Sequence, residues 1–188
     1  MRSMMSAANT AATCDAPRMS IARYESILAA LQDAQVRYVV AGGFAVNLHG
    51  FLRFTKDLDL LIDLEPANAI LAMQVLGDCG LKARLPVPLT DFADADKRHD
   101  WAEHRNMLVF QVWHPDDPFC TVDVFIRNPI QFDDLWQRSV LANLGSAECR
   151  IASIEDLIEM KTLAGRPQDL RDIEQLRRIQ RLQHEGEA

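Results

Sequence analysis

Long apolar runs are missing from this chain. No stretch approaches the roughly 20 residues that a helix needs to cross a bilayer, so no membrane span is expected. A basic excess is missing too. Twenty Lys and Arg against 27 Asp and Glu leave a net charge of −7, which argues against a broad, non-specific nucleic-acid surface while leaving room for a small basic pocket that holds a phosphorylated ligand. Cysteine is sparse and scattered. Cys14, Cys79, Cys120 and Cys149 show no C-x-x-C spacing, so neither a zinc site nor a disulfide framework is expected, and reduced thiols in a cytoplasmic protein are. Residues 1–18, MRSMMSAANTAATCDAPR, lack the apolar core of a signal peptide and read as a loose tail. Internal repeats and low-complexity blocks are absent.

What remains is the composition of an ordinary globular protein, 48% apolar and 25% charged over 188 residues, enough for one core with a helical appendage. Ile21, Tyr24, Ile27, Leu28 and Leu31 recur at helical spacing and predict an amphipathic helix over about 20–34. RYVVAGG reads as a short buried strand ending in a glycine turn, and FAVNLHG as a brief helix closed by Gly50. DLDLLID alternates as a strand, and Pro66 opens the next helix. The stretch 86–104, with two prolines and His99, Trp101 and His104, reads as a loop or a short surface helix acting as lid or packing element. NMLVFQVWH and CTVDVFIR, parted by the turn-like PDDPF, suggest two antiparallel strands, with shorter strands near SVLANLG and ECRIA. Ser153 and Asp156 cap a helix, SIEDLIEMKTLAG, and Gly165 with Pro167 separates it from a last one. The expected architecture is a mixed α/β core over 19–152, its sheet flanked by helices, with a helical segment over 153–188.

The acidic strand poses the functional question. Alternation puts Asp57, Asp59, Leu61 and Asp63 on one face, with aspartates two apart separated by about 6.5–7 Å. Such carboxylates either face water along a solvated edge or converge on hard cations such as magnesium, which keeps positions for water and phosphates. Without a cation they repel or share a proton. Gly42 and Gly43 follow the preceding strand, where backbone N–H groups can approach an anion closely.

AGGFAVNLHGFLRFTKDLDLLID thereby resembles the nucleotidyltransferase superfamily, the polymerase-β-like fold, and within it small bacterial and archaeal members that include abortive-infection toxins. The layout G-G-x-A-x-x-L-H-G-x-x-R-x-T-x-D-x-D carries the resemblance, which extends more loosely over 119–173. It implies a minimal nucleotidyltransferase fold with C-terminal helices, using Mg2+ (or Mn2+) and an NTP, ATP among the candidates, as co-substrate. The acceptor would be a tRNA, a protein or a small molecule, and an antitoxin is an implied partner. The resemblance also implies a third carboxylate on a neighbouring strand, matched by Asp123, whose other reading is a salt-bridged or backbone-bonded structural acid. Catalytic and metal-holding roles fall on Asp57, Asp59 and Asp123. Gly42, Gly43, Arg53, Thr55 and Lys161 would bind the nucleotide, although Arg53 and Thr55 equally suit holding the loop. Lys161 closes an apolar stripe from Ile154 and either presents its amine to the cleft or snorkels to the surface. Arg166, Asp169 and Asp172 match an R-x-x-D-x-x-D stretch, or are first-turn acids complementing the helix dipole. Phe44 departs from the serine common after the glycine pair. That departure sustains the alternative of a catalytically inactive nucleotide-binding or interaction module.

Overall fold

The first helix, α1 (Ala16–Asp33), buries Tyr24, Ile27, Leu28 and Leu31 at 3% exposure or less, as its spacing predicts. The structure is a computed structural model describing residues 16–186; the expected loose segment lies, up to residue 15, outside the described residues, and residues 16–18 already belong to α1. Strand β1 (Tyr38–Ala41) is buried throughout, and Gly42 at φ +60° turns the chain into α2 (Gly42–Leu48). The Asn47 amide then clamps the loop, donating to the Arg53 carbonyl at 2.9 Å and accepting from the Arg53 N–H at 3.0 Å. Strand β2 (Asp57–Ile62) follows, and α3 (Pro66–Asp78) starts on Pro66 with Glu65 as its cap.

A two-residue β3 (Lys82–Ala83) and a 3-10 turn (Leu89–Ala93) lead into α4 (Ala95–Arg105). Within 86–104 the ambiguity is resolved in favour of packing: Trp101 is 3% exposed and stacks on Phe110 at 5.2 Å. Strands β4 (Val109–His114) and β5 (Asp117–Phe125) form the expected antiparallel pair, with β5 reaching further back than CTVDVFIR suggested. Helix α5 (Phe132–Arg138) was not anticipated from sequence. The chain ends in β6 (Val140–Leu144), β7 (Ala147–Ile151), α6 (Ile154–Ala164) and α7 (Pro167–Gly186). Ser153 caps α6 through the Asp156 N–H, and Gly165 ends it at φ +63°.

Seven strands form one mixed sheet in the order β3-β4-β5-β2-β1-β7-β6, with β2–β5 and β1–β7 parallel and the other pairs antiparallel. The α/β class read from sequence is the class observed. Leu58, Leu60, Val122 and Val124 are fully buried on the inner face of the two central strands, each burial worth about 1.5–3 kcal/mol. That anchoring leaves the opposite face of β2 and β5 for polar side chains.

Candidate active site

The parallel register of β2 with β5 pairs Asp59 with Asp123 and Asp57 with Thr121. Neighbouring strands lie about 4.8 Å apart, so the three aspartates share one face of the sheet at its centre. Asp63 is not among them. It falls after the strand, ion-paired to Arg37 and accepting from the Glu65 N–H at 3.1 Å, so only part of the acidic run belongs to the cleft.

Each acid has its own partner. Thr121 donates its hydroxyl to Asp57, the Gln111 amide donates to Asp123 at 2.8 Å, and the Gly43 N–H donates to Asp59. Burial, then the charges of Asp123 and Asp57, push Asp59 up to about 7, against the opposing pull of Lys161 and the Gly43 amide. Burial also raises Asp123, opposed by Gln111 and reinforced by Asp57. Crowded carboxylates with raised proton affinity are groups short of positive charge.

The glycine bend explains itself by contact. A Cβ on Gly42 would lie 1.8 Å from the Asp59 Oδ2, and one on Gly43 would lie 2.5 Å from the Thr55 Oγ1 and 3.0 Å from the Arg53 Nη2. Two glycines therefore let β2 and its preceding loop close onto the end of β1. Phe44 points away from this bend into the core, 7% exposed and edge-on to Tyr24 at 5.0 Å. The Tyr24 hydroxyl in turn lies 3.0–3.1 Å from the Lys56, Phe119 and Thr121 carbonyls, which share its one proton, and accepts from the Thr121 N–H. One side chain of α1 thus ties the beginnings of β2 and β5 together.

On the other flank, Lys161 is buried rather than snorkelling. Its Nζ donates to Asp172 at 2.7 Å and lies 3.4 Å from Asp169. Asp172 is fully buried and also accepts from Arg53 at 2.7 Å, while Arg166 binds Asp169 at 2.8 Å. Asp169 and Asp172 are thus structural partners of cations, not merely acids complementing a dipole. Three cations against two carboxylates leave this corner net positive beside the three aspartates of the sheet. Arg53 also donates to the Phe54 carbonyl at 2.9 Å, so its guanidinium holds the loop against α7, and its Nε is buried without a partner.

The donor set suits a hard divalent cation, being three carboxylates with only oxygen to offer. Among the described residues, no three such side chains are gathered around a common point; each is turned onto its own hydrogen-bond partner within a register that brings them together. Sequence reading missed Thr121, Gln111 and Tyr24. The T-x-D alternation of β5 could have pointed to Thr121. A tyrosine at helical apolar spacing reads as core and gives no signal. A separate surface cavity of about 390 Å³, lined by Arg37, Trp136 and Arg150, sits at the opposite end of β1 and contains none of these acids.

A mixed sheet that carries a D-x-D strand beside a glycine bend, with a third aspartate in register, defines the nucleotidyltransferase class. Fold comparison agrees on the architecture. A crystal structure of ANT(2")-Ia in complex with adenylyl-2"-tobramycin superposes with a TM-score of 0.54 at 13% identity, covering 90% of this chain and 99% of that one. A solution structure of the antibiotic-resistance factor ANT(2'')-Ia gives 0.48 at 15% identity, with 90% and 95% covered. A search of curated proteins finds no match. Residues 26–188 match the family model for the nucleotidyl transferase AbiEii toxin of type IV toxin–antitoxin systems, and the chain belongs to that family.

Proposed function

We propose that this protein transfers a nucleoside monophosphate from an NTP to a hydroxyl acceptor and releases pyrophosphate. The observation that carries the reading is the register of Asp59 with Asp123, one strand from the glycine bend. Asp57, Asp59 and Asp123 would hold one or two Mg2+ (or Mn2+) ions, and such ions, when bound, stabilise charge on the attacking and leaving oxygens.

The remaining work falls to the chain itself. With Asp59 engaged in holding such an ion, the Gly43 N–H that it now accepts from would be free, with the Gly42 amide, to receive the β and γ phosphates. Thr55 stands against this bend, and Arg53, held by Asp172 of α7, braces it. Lys161 adds positive charge behind Asp59, favouring a phosphate-bearing cleft. Asp123, freed from Gln111, takes the proton of the attacking hydroxyl. The oxygen–α-phosphorus bond forms in line as the bond to pyrophosphate breaks.

Family membership supports a toxin role with an antitoxin counterpart, and a cytoplasmic setting is part of the proposal. Acceptors to be tested are a tRNA, a protein hydroxyl and an amino sugar, the last prompted by the ligand of the ANT(2")-Ia structure. Labelled NTP with Mg2+ and these acceptors should release pyrophosphate with the wild type, and Asp57→Asn and Asp123→Asn should each lose it at least about 100-fold. Saturable NTP binding without turnover on any acceptor would instead identify an inactive nucleotide-binding module.

A further inference from the structure

A sheet edge presents main-chain groups that recruit a further strand unless something blunts it. The two edges of this sheet differ. Strand β3 is two residues long and carries the exposed Lys82, a blunt end. Strand β6 at the other end is five residues, VLANL, with no charge, no proline and an unbroken register on β7. Val140 is 43% exposed, Leu141 57%, and Asn143 is exposed as well. The two-residue loop after it has Gly145 at φ +62° and joins Leu144 to Ala147, so that pair exchanges the last ladder bonds of a tight hairpin. Alternation then turns the N–H and C=O of Leu141 and Asn143 away from β7. Among the described residues, nothing outside the sheet bonds to them.

We propose that β6 pairs with β6 of a second copy of this chain, antiparallel about a two-fold axis through Ala142, to give a symmetric dimer with a continuous sheet. That pairing sets Leu141 against the second copy's Asn143, so each outward N–H meets an outward C=O. On the face that carries Ile151, the row across the seam runs Ile151, Val140, then the second copy's Leu144 and Ala147, apolar throughout. On the other face it runs from Arg150 through Leu141 to the second copy's Asn143 and Glu148. Each such row joins an arginine end to a glutamate end. Arg150 has Ser139 and the Trp136 ring beside it and no carboxylate partner among the described residues. At the axis, Ala142 is small enough for the close approach of a non-hydrogen-bonded pair. A charge of −7 on each copy opposes association elsewhere and favours contact along an uncharged strand. Rows that complement themselves in this way suit a second copy over an unrelated strand. The blunt β3 edge offers no further site, so assembly closes at two.

The test is sedimentation equilibrium of the full chain from about 10 μM to about 1 mM, because a seam of one short strand belongs to the weak end of protein interfaces. The weight-average mass should climb from 21.2 kDa toward twice that value. Ala142→Lys and Ala142→Glu each put like charges directly opposite one another at the axis and should weaken association at least about fivefold. Mixed in equal amounts, the two variants should associate at least as tightly as wild type, which also reports that both fold. In amide exchange, Leu141 and Asn143 should gain protection as concentration rises, while Ala142, whose N–H faces β7, should not. The dimer is overturned by a mass fixed at 21.2 kDa across the series, which is also the result if only a different protein supplies the strand. Association indifferent to both substitutions, a mixture that stays apart, or growth beyond two copies would overturn it equally.

Discussion

Gly42 has no side chain because the Asp59 carboxylate occupies the place of one. Gly42→Ala puts a methyl group onto the Asp59 Oδ2 in a backbone conformation that L-residues rarely adopt. Displacing the acid by about 1 Å is expected to cost about 100-fold in transfer rate, measured by pyrophosphate release with circular dichroism as the control for folding. Asp59 itself has an ordinary value of 3.8 and is pushed up to about 7 in the fold. Across that window the folded protein retains a proton that the unfolded chain has released. The stabilisation from the protonated form is therefore complete at low pH and drains away as pH rises toward 7. Cation-free protein should show a Tm that falls between about pH 4 and about pH 7, and Asp59→Asn should flatten that fall. Mg2+ should recover the loss at the alkaline end, all read by differential scanning calorimetry.

Two helices do for the site what its own strands cannot. Through Tyr24, α1 secures the entries of β2 and β5, and Tyr24→Phe strands several backbone groups; a loss of about 1–3 kcal/mol is expected by urea unfolding, with transfer reduced as the two strands loosen. Through Asp172, α7 holds Lys161 and Arg53 together. Asp172→Ala leaves two cations facing one another without their shared carboxylate, and a loss of about 3–5 kcal/mol is expected in the same assay. These contacts were the least legible part of the sequence. The D-x-D strand, the glycine pair and the T-x-D of β5 are local patterns whose period reports their faces, so β2, β5 and the three aspartates could be read directly. Asp172 sits one turn into α7, just past the first-turn acid Asp169, in a stretch whose acids have an adequate local reading as helix-start residues, and its Arg53 partner is 119 residues away. Helix α5 escaped because FDDLWQR is only two turns long, too short for a helical period to declare itself.

At the scale of the molecule, the acids ride on the central strands of a seven-stranded sheet with elements packed on either side.

The clamp between Arg53 and Asp172 joins the early and late parts of the polypeptide. During translation the ribosome exposes the glycine bend and all three sheet aspartates well before it exposes the carboxylate that must brace them. A nascent chain stalled within α6 would carry its three sheet aspartates and yet have a loop with nothing to lean on. The order of synthesis itself therefore postpones a braced glycine bend until α7 has left the exit tunnel.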